Sequence, residues 1–180
     1  MGGLLVNLAY TIASLQRELH ATTGTMVWMA TAESATAGRI ADRLTEVPGA
    51  SDYVAGGIVA YSNDAKHRLL NVSRETLAAH GAVSEEVARE MAEGGRAALG
   101  TDVCVADTGI AGPGGATALK PVGLFYLALA TPSSCTVRRF EFHGDREANK
   151  EAATRAALNL LRDYLVQFGH SQGANDHGTL

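Results

Sequence analysis

Aromatic residues are scarce in this 180-residue chain, at 6% of the total, and cysteine occurs only twice, at Cys104 and Cys135. The two cysteines lie far apart with no Cys-x-x-Cys pair, which excludes a disulfide scaffold and fits a reducing cytosol. Positive charge is not in excess: the formal net charge is −4 and the pI about 5.8. The chain therefore has no electrostatic footprint for nucleic acid. No apolar run approaches the ~20 residues of a membrane-spanning helix, and the opening Met-Gly-Gly-Leu-Leu-Val lacks the basic start of a secretory signal. The six histidines are scattered without His-x-His or His-Glu-x-x-His, so no metal site is expected. These absences point to a soluble cytoplasmic protein with no cofactor, no nucleic-acid partner and no membrane partner.

What the chain does contain is 46% hydrophobic residues, 19% charged residues and 20 glycines. That composition is globular, and a single domain over residues 1–168 of this size buries about 70% of its unfolded surface. With few aromatics, its core is aliphatic. Residues 169–180 are polar and glycine-rich and read as a disordered tail.

Periodicity gives the layout. Leu4, Leu5, Leu8, Ile12, Leu15 and Leu19 recur at helical spacing, with Gln16, Arg17 and Glu18 on the rest of the turn. This helix, over residues 1–22, packs on the core or on a partner subunit, and its amphipathic face leads to the expectation of a homodimer or larger assembly. Buried strands are expected at 26–30, 56–61 and 103–106, each followed by a helical segment or a loop. Ser62, Ser73 and Ser84 are helix-cap candidates, with Glu85 and Glu86 suited to the first turn after Ser84. Strands at 122–130 and 136–142 are joined by a turn at 132–134 and so run antiparallel. A last helix covers residues 145–168. Alternating helices and strands with one terminal hairpin predict an α/β protein, a three-layer α/β/α sandwich with a mixed sheet of about five strands.

Three segments follow strand ends, where open α/β sheets bind ligands. Ser34 lies between a buried strand and a helix, so its hydroxyl can sit beside amides able to stabilise an oxyanion; alternatively, Ser34 or Thr36 only caps that helix. Lys66 stands in the first turn of a helix, where the dipole disfavours a cation and lowers its proton affinity. A neutral lysine amine can accept a serine proton, although from the residues alone the first reading of Lys66 is a solvated lysine beside His67 and Arg68. The loop 108–115, rich in glycine, permits backbone N–H groups to converge as an anion nest, or serves only to reverse the chain. It lacks the endings of a P-loop or a dinucleotide fingerprint. Cys104 reads as a core thiol, and Arg138 and Arg139 as a solvated sheet edge.

Five stretches, in order, resemble the CinA C-terminal domain family: Ala-Glu-Ser-Ala-Thr-Ala-Gly at 32–38, Tyr-Ser-Asn-Asp-Ala-Lys at 61–66, His-Gly-Ala-Val-Ser at 80–84, Thr-Gly-Ile-Ala-Gly-Pro-Gly-Gly at 108–115 and Lys-Pro-Val-Gly at 120–123. The resemblance covers residues 28–165. It implies an anticodon-binding-domain-like α/β fold and hydrolysis of the carboxamide of nicotinamide mononucleotide, giving nicotinate mononucleotide and ammonia. It further implies Ser34 as nucleophile, Lys66 as base and Tyr61 as the tyrosine accompanying them. Thr36, Gly38, Thr108, Gly109, Ile110, Ala111, Gly112, Gly114 and Gly115 are then the substrate-binding positions. The implied chemistry is acyl transfer through a serine ester, with a pyridine nucleotide as the small-molecule partner. The family commonly reads Glu-Ser-Cys-Thr-Gly-Gly where this chain has Ala35 and Ala37, and the Ala37 methyl demands either room or a different backbone dihedral. A competing reading is a non-catalytic nucleotide-binding or regulatory module linked to competence and DNA damage. The two readings part on whether Ser34 and Lys66 come within hydrogen-bond reach beside an open pocket.

Overall fold

The computed structural model describes residues 2–175, with side chains from 8 to 172. In chain order the elements are α1 (Gly2–Thr23), β1 (Met29–Glu33), α2 (Arg39–Thr45), a short 3-10 turn (Ala50–Asp52), β2 (Val54–Val59), α3 (Asn63–Leu70), α4 (Arg74–His80), α5 (Glu85–Leu99), β3 (Val103–Gly109), β4 (Leu124–Ala130), β5 (Cys135–Glu141) and α6 (Arg146–Asn175). One five-stranded sheet has the order β2-β1-β3-β4-β5. β1 pairs parallel with β2 and β3, whereas β4 pairs antiparallel with β3 and β5. This is the mixed sheet expected from the alternation of helices with a terminal hairpin.

Period-two alternation sends successive side chains of the central strands to opposite faces. Val103 and Val105 of β3 join Met29, Leu127 and Leu129 in a cluster with Ile12, Ile40, Leu44, Leu158 and Leu161 from α1, α2 and α6. Cys104 and Ala106 face the other way, against Leu70, Val87 and Met91 from α3 and α5. Small alanines on that second face let α5 approach the sheet closely. Ser62, Ser73 and Ser84 each accept the expected capping bond, from Ala65, Thr76 and Val87 amides respectively.

Several boundaries differ from the sequence reading. The first strand starts at Met29 rather than 26, because the amides of residues 27 and 28 are met by side chains, although the Trp28 carbonyl still accepts from the Val103 amide of β3. Gln16 exchanges two hydrogen bonds with the Val27 backbone (2.7 and 3.1 Å), and the Asp102 carboxylate accepts from the Trp28 amide at 2.8 Å. Gln16, which the periodicity puts on the polar side of α1, is thus fully buried. The final helix does not end at Phe168 but runs to Asn175, past the expected start of the disordered tail; residues 176–180 lie outside the described residues. Ala9, Ile12 and Leu19 of α1 pack in the same cluster as Leu158, Leu161 and Leu165 of α6. The described apolar face of α1 is therefore covered within the chain, and it no longer argues for a partner subunit; the Leu4 and Leu5 side chains lie outside the described residues. Among the described residues, no helix is long and apolar enough to cross a membrane.

Candidate active site

Ser34, Lys66 and the loop 108–115 converge at the carboxyl ends of β1, β2 and β3, where they line one cavity of about 310 Å³. That volume suits a small-molecule ligand. Lys66 extends from the first turn of α3 back toward the sheet and is 1% exposed, so the solvated reading of this residue is excluded. Its Nζ lies 2.8 Å from Ser34 Oγ, 3.0 Å from the Ala60 carbonyl and 3.2 Å from the Tyr61 carbonyl. Burial holds the amine below its ordinary pKa, against a smaller opposing pull from the Asp107 charge. A neutral lysine has two N–H bonds and one lone pair. The two carbonyls can take both N–H groups, which leaves the lone pair for the Ser34 hydroxyl.

Neither Ser34 nor Thr36 caps α2. The N-cap is Gly38, at φ 96° and without a side-chain cap bond, a backbone conformation that glycine adopts at low cost. The first-turn amides are held instead by the Glu33 carboxylate, which accepts from Gly38 (2.8 Å), Ile40 (3.1 Å) and Ala41 (2.9 Å). Asp107, near the end of β3, does the same for the preceding turn. It accepts from the amides of Ser34 (3.0 Å), Ala35 (2.9 Å) and Thr36 (3.2 Å). The amides beside Ser34, expected to face an oxyanion, are thus already committed to a carboxylate. Burial and the facing Glu33 push the Asp107 carboxyl up to about 6, although its hydrogen bonds oppose this.

The glycine loop supplies other donors. Among the described residues, the amides of Ala111, Gly112, Gly114 and Gly115 have no protein acceptor, and all four residues line the cavity. Gly112 has φ +97°, and a Cβ there would meet Val122 at 2.7 Å, so the stretch 120–123 packs behind the loop. Thr108 also lines the cavity, with its hydroxyl donating to the Ala82 carbonyl at 2.7 Å. This bond joins the loop to the segment 80–84, which contributes Ala82 and Val83 to the wall.

Thr36 and Gly38, taken as substrate-binding from the resemblance, do not line the cavity. Thr36 is fully buried and bridges Glu33 and Asp107 through its hydroxyl, and Gly38 opens α2. Tyr61 lines the cavity mouth, but its phenol is 3.2 Å from Arg146 rather than on Lys66. What it gives the amine is its carbonyl. Ala37 takes the left-handed φ of 57° and stays out of the cavity wall, so its methyl affects backbone conformation, not substrate room.

Three residues of the site receive no role in the motif reading: Glu33, Asp107 and Arg146. The first two are carboxylates near the carboxyl ends of buried strands, which is a usable signal. Arg146 lines the cavity and donates to the Gly112 carbonyl at 2.7 Å, yet nothing in its local sequence separates it from other helix-start arginines. Among the described residues no cluster of His, Cys, Asp or Glu could hold a metal ion.

Comparison with known proteins agrees with the motifs. The chain is 52% identical over 141 residues to a CinA-like protein of Chloroherpeton thalassium, covering 76% of this chain and 34% of that protein. It is 53% identical over 138 residues to one of Geobacter sp., covering 77% and 33%. The chain thus spans about a third of the length of these curated relatives. Among solved structures, a competence-damaged protein (CinA) superfamily protein of Klebsiella pneumoniae superposes with a TM-score of 0.83 at 32% identity, over 91% of this chain and 98% of that one. A competence/damage inducible protein of Agrobacterium tumefaciens gives 0.77 at 40% identity, over 84% and 93%. The profile of the CinA C-terminal domain matches residues 12–165, and the chain belongs to that family.

Proposed function

We propose that this protein hydrolyses the carboxamide of nicotinamide mononucleotide through an acyl-enzyme on Ser34. The observation that carries this reading is the 2.8 Å contact between the buried Lys66 amine and Ser34 Oγ at an open cavity. Lys66 takes the hydroxyl proton as Ser34 Oγ bonds to the amide carbon. The tetrahedral oxyanion is received by loop amides from 111–115, since those at 34–36 are occupied. The lysine ammonium returns the proton to the leaving nitrogen, so ammonia departs and a serine ester remains. Water then adds with the same amine as base, and nicotinate mononucleotide leaves.

The distinction between a pyridine nucleotide and a simple aromatic amide rests on the far side of the cavity. There Arg146 offers a positive charge suited to a phosphate. Ammonia release from nicotinamide mononucleotide by purified protein, with nicotinamide and NAD as controls, tests the proposal. Release from the mononucleotide that vanishes in Ser34→Ala is expected. No release from any of the three by a folded wild-type protein would favour the regulatory reading.

A further inference from the structure

The Thr36 hydroxyl has one proton, yet its oxygen lies within hydrogen-bond reach of two carboxyl groups, Glu33 Oε2 at 2.7 Å and Asp107 Oδ1. All three residues are 0% exposed, so bulk solvent does not screen the charges. An ionised carboxylate only accepts, and the single hydroxyl proton of Thr36 cannot be donated to two carboxylates at once. A second proton on one carboxyl completes the chain: that carboxyl donates to Thr36 Oγ1, and the hydroxyl donates to the other. Two carboxylates that close also resist simultaneous ionisation.

We propose that Asp107 and Glu33 hold one proton between them across Thr36, and that this buried acid–hydroxyl–acid array is the positioning device that aims Ser34 at Lys66. The two carboxyls grip the chain on both sides of the bridge. Asp107 takes the amides of residues 34, 35 and 36, and Glu33 those of 38, 40 and 41. Thr31 Oγ1 adds a further donor to Glu33 at 3.0 Å. The nucleophile's backbone is thus fixed from β1 and β3 at once, while Lys66 meets its hydroxyl from α3. The titratable groups facing the array are Lys66, whose amine feels the Asp107 charge, and the Cys104 thiol, which feels that of Glu33. Burial and the Glu33 charge push Asp107 upward, the direction expected of the member that keeps the proton. A pair that keeps one proton carries one negative charge rather than two beside Lys66, which favours the free amine that a base requires.

The test has two arms, and only the second depends on the amide-hydrolase reading. Infrared difference spectra near pH 6 between wild type and Asp107→Asn should contain a protonated-carboxyl C=O stretch belonging to the wild type. Thr36→Val should shift or abolish that band, and Thr36→Ser should retain it. Its absence in the folded wild type would mean that both acids are ionised, which overturns the proposal. In the kinetic arm, Thr36→Val should lower kcat by at least tenfold (about 1.4 kcal/mol) with KM little changed, and Thr36→Ser should recover most of the loss. Equal kcat in the two variants would overturn the positioning role, because they differ in the hydroxyl. If wild type has no amidase activity, the infrared arm still decides on the shared proton.

Discussion

Lys66 is a buried amine at the candidate site, with three oxygen neighbours. If Ser34 and Lys66 act as nucleophile and base, Ser34→Ala and Lys66→Ala should each lower kcat by at least ~10³-fold, and the double variant should be little worse than either. Steady-state ammonia release checks this, and Tyr61→Phe should lose far less, because the amine rests on the Tyr61 carbonyl and not on the phenol. The buried amine also affects stability. Its pKa is lowered from 10.5 by burial, so between the lowered value and 10.5 the native chain binds fewer protons than the unfolded one. Stability then rises with pH across that window. Urea unfolding from about pH 7 to about pH 10 should shift in favour of wild type relative to Lys66→Met, and a pH-independent difference would count against a depressed lysine. Ala37 provides a third residue-scale test. Its left-handed φ of 57° costs an alanine about 1 kcal/mol, so Ala37→Gly should raise the urea midpoint by a corresponding amount without changing kcat.

At the scale of elements, the position of α3 decides where Lys66 points, and α5 decides where α3 sits. A Cβ on Gly94 of α5 would lie 1.8 Å from the Leu70 carbonyl oxygen at the end of α3. Backbone cannot yield as a side-chain tip can, so Gly94→Ala must push the two helices apart. Destabilisation of about 1–3 kcal/mol is expected, together with a fall in kcat as Lys66 withdraws from Ser34. Urea unfolding and kinetics on one preparation test both; wild-type stability and rate would show that α3 is not held by this contact. The elements themselves were mostly legible. The serine caps at 62, 73 and 84 and the period-two alternation of β3 mark α3, α4, α5 and the central strand from local chemistry alone. The start of β1 was not legible, because residues 26–28 are as strand-like as 29–33 and only Gln16 and Asp102 remove them from the ladder.

Across the whole molecule, the cavity is assembled from the ends of three parallel strands, the 80–84 segment and the start of α6. Arg146 reaches it from a helix at the opposite end of the chain from Ser34 and donates to Gly112 and Tyr61. If this side receives a phosphate, Arg146→Ala should raise KM for nicotinamide mononucleotide by about tenfold or more, the loss of one charge-assisted contact. Nicotinamide riboside should be turned over with much lower kcat/KM than the mononucleotide. Equal values for the two substrates would remove the phosphate from the reading. The sequence by itself determined the α/β class, the mixed sheet, the starts of α3, α4 and α5 and the segments that meet at the site, because caps, periodicity and short motifs are local. Tertiary structure alone decided that Lys66 is buried against Ser34, that Asp107 rather than an oxyanion occupies the amides at 34–36, and that Thr36 bridges two acids. Each of these depends on groups from elements distant in the chain meeting at one sheet edge. Burial and hydrogen-bond partnership across such distances leave no periodic or local trace in the chain.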